Sequence, residues 1–322
     1  MTIIAQVTTY PYGVHARDPL TVLEDAGITV RLSPHGRKHS PEETAALLGD
    51  VDILIAGTEP LPSWVLEQGL PRLRHVARVG VGLDGLDIDF CRQHRIAVTY
   101  TPDAPARSVV EEFFGMLFSL SRHLVIAHEG MRSGQWRRLT GVLWQGKTLG
   151  IIGCGRIGKQ IAVLARAFGM EVLAHDIQED HVWAREHGVS YVSLEELLQR
   201  SLAVSLHVPA DASTQDMINA ERLAMMRRDA YLINTCRGEV VDEAALYEAL
   251  RAKRIAGAAL DVYRHEPYSG PLSGLDNVML CCHQGSCSVD GRQAMEVGSA
   301  ENAAAYLRGQ TIEASRVVYL PE

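Results

Sequence analysis

Gly153-Cys-Gly155-Arg-Ile-Gly158 ends the β-rich run 148–152 and opens a segment in which Ile161, Leu164, Ala165 and Phe168 recur at helical spacing. Glycines so spaced, after a strand and before a helix, suit the pyrophosphate of a dinucleotide. Gly153 permits a tight turn, Gly155 lets the backbone approach the phosphates, and Gly158 lets the helix pack against its strand. The helix N-terminus adds amides and partial positive charge. The next predicted strand (171–175) runs into Asp176, whose carboxylate can accept from ribose hydroxyls and repels a 2′-phosphate. The pattern points to NAD rather than NADP.

Three later stretches hold residue types suited to moving a hydride and a proton. They are Leu232-Ile-Asn-Thr-Cys-Arg237-Gly, Leu260-Asp261-Val-Tyr-Arg-His-Glu266-Pro and Cys281-Cys-His283-Gln-Gly285-Ser. Each lies at or just past the end of a predicted strand, the edge on which doubly wound sheets place ligands. The last stretch carries Cys281 and Cys282, and Cys287 follows it directly. Adjacent residues of a strand face opposite ways, so Cys281 and Cys282 cannot easily share one ion with Cys287. The spacing also fits no zinc pattern, and no metal is expected. A redox role stays open, because a thiol beside an imidazolium can have a lowered pKa.

Positioning these groups requires alternating strands and helices. Strands are predicted at 28–32, 52–56, 97–100, 148–152, 171–175, 202–206, 230–234 and 278–280, with amphipathic segments between them. That alternation implies an α/β fold built on parallel sheets. Val110, Phe113, Phe114, Leu117, Leu120 and Leu124 recur at helical spacing after Ser108-Val-Val-Glu111, which predicts a helix over 108–124 started by a capping box. Thr101-Pro-Asp-Ala-Pro105, just before it, predicts a hinge and a domain boundary.

The 322 residues suffice for two domains, and the formal charge of −8 argues against nucleic acid or an anionic membrane as the main partner. No basic leader with an apolar core opens the sequence, and no apolar run is long enough to span a bilayer. The six cysteines are neither dense nor regular, which predicts reduced thiols in the cytoplasm.

Taken together these motifs resemble the D-isomer-specific 2-hydroxyacid dehydrogenases, most nearly the short bacterial D-3-phosphoglycerate dehydrogenase-like members. The resemblance covers almost the whole chain. It includes Arg78-Val-Gly-Val-Gly-Leu-Asp-Gly-Leu-Asp87, Ser108-Val-Val-Glu111, Gly146-Lys-Thr-Leu-Gly150 and the glycine turn. It continues through His207-Val-Pro-Ala210, Ile233-Asn-Thr-Cys-Arg-Gly-Glu-Val-Val-Asp242 and Ala259-Leu-Asp-Val-Tyr263 to the glutamate and histidine segments. It implies a Rossmann NAD-binding domain over 103–288 and a discontinuous, flavodoxin-like substrate domain from 1–102 and 289–322. The active site would lie in the cleft of a homodimeric enzyme.

By the same resemblance, Arg237 grips the substrate carboxylate and polarises the C2 oxygen. His283 is the acid–base, and Glu266 orients its imidazole. Arg156, Ile157, Asp176, His207, Val208, Pro209, Thr214, Thr235, Cys236, Asp261, His283 and Gly285 join the three glycines around NAD, with Asp261 beside the carboxamide. The amides of Val81 and Gly82 form a second carboxylate clamp, with Arg78 nearby. Formate enzymes of similar sequence carry glutamine at the position of Glu266, so the glutamate favours a hydroxy acid.

The chain also departs from the pattern. Cys236 replaces a small residue, Cys282 a proline, Gln284 an aliphatic residue, Gly85 an asparagine and Glu112 a frequent histidine. The loop Ala56-Gly-Thr-Glu-Pro60 lacks the arginine common in phosphoglycerate enzymes. Arg78 is retained, and His15, Arg17, Arg137 and Arg138 are further candidates for holding an anion. The expected substrate is a small anionic 2-hydroxy or 2-oxo acid carrying a phosphate or phosphonate, with glyoxylate or hydroxypyruvate second. The C-terminal regulatory domain of longer phosphoglycerate enzymes is not expected. A different class stays open: C-terminal-binding-protein corepressors share the fold and similar residues, and bind NAD as a sensor.

Overall fold

Ile53–Ala56, Ala203–Leu206, Tyr231–Asn234 and Gly257–Leu260 form strands in which every residue is buried. A strand covered on both faces belongs inside a parallel sheet flanked by helices. The computed structural model, which describes residues 2–321, contains two such sheets. The chain divides into two units, one running to Ala106 and resuming at Cys287, the other spanning Arg107–Ser286. The sequence boundaries stood at 102/103 and 288/289.

The first unit is built on β1 (Ile3–Val7), β2 (Ile28–Arg31), β3 (Ile53–Ala56), β4 (His75–Arg78) and β5 (Ala97–Thr99). They pair in parallel in the order β2-β1-β3-β4-β5, the flavodoxin order. The second unit carries β6 (Thr148–Ile152), β7 (Glu171–His175), β8 (Val189–Tyr191), β9 (Ala203–Leu206), β10 (Tyr231–Asn234), β11 (Gly257–Leu260) and β12 (Val278–Leu280). All pair in parallel, in the order β12-β11-β10-β9-β6-β7-β8. This is the Rossmann arrangement with one further strand. The chain then returns to the first unit through the helix Val289–Leu307. It ends there in β13 (Val317–Tyr319), which lies antiparallel to β5.

Helices cover both faces of the Rossmann sheet. Phe113, Met116 and Leu117 of one helix pack with Leu149, Ile151, Ile161 and Ala165 on one face, while Leu197, Leu223, Leu246 and Leu250 pack with Val204 and Leu232 on the other. Each fully buried side chain of this kind contributes about 1.5–3 kcal/mol relative to exposure.

Two expectations are corrected. The helix expected over 108–124 runs from Ala106 to Ser121, so Ser108 lies inside its first turn and not at its N-cap position. Glu111 is instead paired with Arg107, one turn earlier, at 2.9 Å. The early start follows from the backbone bond between the Ala106 amide and the Asp103 carbonyl, which draws the chain into helix before the serine. At the other end His123 takes a left-handed conformation (φ 54°), which ends the helix and starts another at Leu124. Leu124 is therefore half exposed, and not on the buried face.

Candidate active site

In the second unit the chain leaves the sheet centre in both directions, from β6 to β7 and β8 and then back to β9 through β12. The boundary between β6 and β9 is a topological switch point, where the following loops diverge and leave a crevice. The glycine turn follows β6 and His207 follows β9, so both border that crevice. A Cβ on Gly153 would stand 2.6 Å from the His207 carbonyl, and φ is +91° there. Only glycine allows both the turn and the approach. On Gly158 a Cβ would stand 2.3 Å from the Gly153 carbonyl, so helix and strand meet there backbone to backbone. At Gly155 nothing lies within 4 Å of the Cβ position, and Arg156 beside it is exposed at the helix N-terminus. The surface there is an open cradle of backbone and suits a pyrophosphate.

Asp176, just past β7, braces this turn. Its Oδ2 accepts from the Cys154 amide at 2.6 Å and its Oδ1 from the Gln178 amide at 2.9 Å. On the far side of the switch point, His207 bonds Ser205 Oγ through Nε2 at 2.6 Å, and its Nδ1 is buried without a partner. Burial pushes its pKa down to about 3, so the ring is neutral at ordinary pH. Val208 and Pro209 continue the loop, which closes where Thr214 Oγ1 donates to the Pro209 carbonyl at 2.6 Å.

After β10, Asn234 folds the next three residues into a fixed turn. Its Oδ1 accepts from the Cys236 amide at 3.1 Å, and its Nδ2 donates to the Arg237 carbonyl at 2.9 Å. The hydroxyl of Thr235 is buried without a partner. Burial also pushes the Cys236 thiol up to about 11, so it is a packing group and not a thiolate. Arg237 is partly exposed, and its Nη1 donates to the Cys236 carbonyl at 2.7 Å. A Cβ on Gly238 would stand 1.9 Å from the Tyr263 carbonyl carbon, so this glycine sets how closely the loops after β10 and β11 approach.

The loops after β11 and β12 are tied together by Asp261, which is 2% exposed. Its carboxylate accepts from the amides of Gln284 (2.8 Å) and Gly285 (2.9 Å), and its carbonyl from the amide of His283 (2.8 Å). Tyr263 adds a bond from its hydroxyl to the Cys281 carbonyl at 2.6 Å. Held in this way, His283 takes a left-handed backbone (φ 56°), uncommon for a residue with a side chain. Its Nδ1 lies 2.8 Å from Glu266 Oε2, while Glu266 Oε1 accepts from the Tyr263 amide at 3.1 Å. With Nδ1 turned to the carboxylate, Nε2 of an exposed ring is left to accept or donate a proton.

Beneath this turn lies Glu112, noted in the sequence only as a departure. A Cβ on Gly285 would stand 2.7 Å from Glu112 Oε2 and 3.2 Å from Asp261 Oδ2, so two carboxyl groups converge on one backbone atom. Burial, and then the charge of Asp261, push Glu112 up to about 7, and burial raises Asp261 as well. The sequence did carry a signal. Glu112 sits one turn from Val109 and Met116, on the apolar face of its helix.

Among the described residues, ligand atoms of Glu112, Asp261 and Cys281 lie within 4.8 Å of one another. Burial pushes the Cys281 thiol up to about 12, so this trio carries protons that a cation would have to displace.

Arg78, Val81 and Gly82 lie in the first unit, at the end of β4 and in the loop that follows. Arg78 is 8% exposed, and its Nε donates to the Gly82 carbonyl at 2.7 Å. Its Nη1 donates to the carbonyls of Val79 (3.2 Å) and Ala56 (3.4 Å). Arg78 thus shapes the loop that presents the Val81 and Gly82 amides, which take no partner among the described residues. His15, Arg17, Arg137 and Arg138 are exposed, and Arg17 pairs with Glu24 at 3.4 Å.

Residues 114–285 match the family model described as D-isomer specific 2-hydroxyacid dehydrogenase, NAD binding domain. The chain is 41% identical over 270 residues to a glyoxylate reductase of Korarchaeum cryptofilum, covering 81% of each. It is 34% identical over 308 residues to a D-3-phosphoglycerate dehydrogenase of Methanocaldococcus jannaschii, covering 94% of this chain and 58% of that one. Among solved structures it superposes on D-lactate dehydrogenase from Aquifex aeolicus, complexed with NAD and lactic acid. The TM-score is 0.86 at 27% identity, covering 99% of this chain and 100% of that chain.

Proposed function

The chain belongs to the D-isomer specific 2-hydroxyacid dehydrogenases, with an NAD binding domain, and on that premise we propose that it reduces a small 2-oxo acid such as glyoxylate or hydroxypyruvate. The observation that carries the reading is the His283–Glu266 pair, 2.8 Å apart, on the same sheet edge as the glycine turn.

Gly153, Gly155, Gly158 and the first helical turn after them would hold the pyrophosphate. Asp176 would meet the adenosine ribose, which favours NAD over NADP. His207, Val208, Pro209, Thr214, Thr235 and Cys236 would line the crevice, and Asp261 would face the carboxamide. Nicotinamide, when bound, supplies the hydride that forms the new C–H bond at C2. The chain's own task is the remainder of the reaction. The guanidinium of Arg237 grips the carboxylate and polarises the carbonyl. As the C=O π pair becomes an oxyanion, His283 Nε2 delivers it a proton. Glu266 holds the ring in that orientation. Oxidation of the hydroxy acid runs the same transfers backwards.

A second anion on the substrate, the first expectation from sequence, has less support than the runner-up. The loop after β3 offers a buried carboxylate, Glu59, and no cation, while Arg78 spends Nε and Nη1 on carbonyls. The higher identity to a glyoxylate reductase than to a phosphoglycerate enzyme points the same way.

A homodimer is part of the proposal. Met131, Trp136 and Leu143 lie close in sequence and are 54%, 79% and 70% exposed, side chains that a second copy would cover.

NADH consumption against a panel of 2-oxo acids tests the reading. Turnover with glyoxylate or hydroxypyruvate supports it, and tight NADH binding without turnover would favour a sensor of the corepressor kind.

A further inference from the structure

The carboxylate of Glu59 is 2% exposed and stands at the C-terminal edge of the first sheet, beside the loop that presents Val81 and Gly82. Its two oxygens differ. Oε1 accepts from the Gly57 amide at 2.9 Å and from the Thr8 hydroxyl, which fixes the side chain across the ends of β1 and β3. Oε2 is buried and has no partner. A buried carboxylate oxygen without a donor is costly, so such an atom calls for something that fills its place.

The space beside it is small. A cavity of about 20 Å³ is bounded by Gly57, Glu59, Arg78, Gly82 and Gly85, with Leu61, Leu83 and Leu86 as its apolar wall. That is room for one group of roughly the size of a water molecule. Gly57 keeps the oxygen reachable, since a Cβ there would stand 2.7 Å from Oε2 and 2.6 Å from Thr9 Oγ1. Gly82 is shared between this cavity and the proposed carboxylate clamp. A 2-oxo acid held at the clamp would therefore extend its C3 substituent toward Oε2. Glu59 and Arg78, of opposite charge, line the cavity together, so a neutral donor suits it better than a phosphate or an ammonium.

We propose that Glu59 is a specificity-determining residue: its free oxygen accepts a hydrogen bond from a hydroxyl on C3 of the substrate, so the enzyme prefers a 3-hydroxy-2-oxo acid. This rests on the reading of the chain as a 2-oxo acid reductase. The first arm of the test needs no variant. Steady-state kcat/KM is compared, with NADH, for pyruvate, hydroxypyruvate and 3-phosphohydroxypyruvate, which differ only at C3. A hydrogen bond to a buried carboxylate predicts about a 10–100-fold preference for hydroxypyruvate over pyruvate. The phosphorylated acid should be the poorest of the three.

In Glu59→Gln, checked for fold by its thermal melt and for NADH binding by fluorescence, the preference for hydroxypyruvate over pyruvate should shrink about fivefold or more relative to wild type. The penalty on the phosphorylated acid should also shrink. A wild-type ratio near one would leave the cavity to a resident water and overturn the assignment while the reductase reading stands. So would a preference unchanged in Glu59→Gln. No turnover with any 2-oxo acid, including glyoxylate, would overturn both.

Discussion

His283 Nδ1 and Glu266 Oε2 stand 2.8 Å apart and join the turn after β12 to the loop after β11. The pair gives the imidazole a defined orientation, although the ring itself is exposed. Glu266→Gln keeps the shape and removes the charge. Charge-assisted hydrogen bonds are about twice as strong as neutral ones, so kcat for 2-oxo acid reduction should fall roughly tenfold or more. NADH affinity should hold. A variant with wild-type kcat would mean that the glutamate is only a loop anchor for the Tyr263 amide.

The convergence of Glu112 and Asp261 on Gly285 gives a dependence of stability on pH. Glu112 has its folded pKa raised from 4.5 to about 7, so between those values the native state holds a proton that the unfolded state has lost. Stability from this source is present below about pH 4.5 and is lost as pH rises through 7. The buried rings of His75 and His207 have the opposite sign. Their pKa values are pushed down to about 3, so they lose stability as pH falls below 6.5. The informative quantity is therefore the difference between wild type and Glu112→Gln. Urea unfolding at pH 5 and pH 7.5 should show the wild type losing ground to the variant as pH rises. An equal gap at both pH values would contradict the account in which folded Glu112 keeps its proton.

Asp176 sets the third prediction. A carboxylate about 4 Å from a 2′-phosphate costs roughly 1–4 kcal/mol, depending on local polarity. Asp176→Ser should therefore raise NADPH affinity relative to NADH by tenfold or more, read as two Kd values by fluorescence. The serine still offers the Cys154 amide an acceptor, which limits damage to the turn. An unchanged ratio would mean that another group excludes the phosphate.

The placement of the candidate site was legible in the sequence because its residues lie just past strands. The glycine turn, Asp176, Arg237, Glu266 and His283 each follow a strand, and strand ends can be read from β-rich runs. β11 was harder to read, since Gly257-Ala-Ala-Leu260 is poor in β-formers. Small residues are needed there because a Cβ on Gly257 would stand 2.8 Å from the Asn277 carbonyl. The helix start expected at Ser108 came two residues late, because the chain already turns at the backbone bond from Ala106 to Asp103. Glu59 and the Glu112–Asp261 pair were not legible as sites. Their meaning comes from burial and from distant neighbours, such as Thr8, 51 residues from Glu59, and Gly285 beside Glu112, which no local window contains.

The central claim, that His283 carries the proton, is tested most directly by His283→Ala. Single-turnover oxidation of NADH by glyoxylate or hydroxypyruvate is followed at saturating NADH, beside an independent NADH Kd. Acid–base catalysis by a positioned side chain contributes about 10²–10⁴-fold. The rate should fall by that factor while the Kd changes by less than about threefold. A rate within tenfold of wild type, or a Kd that weakens as much as the rate falls, would contradict the account.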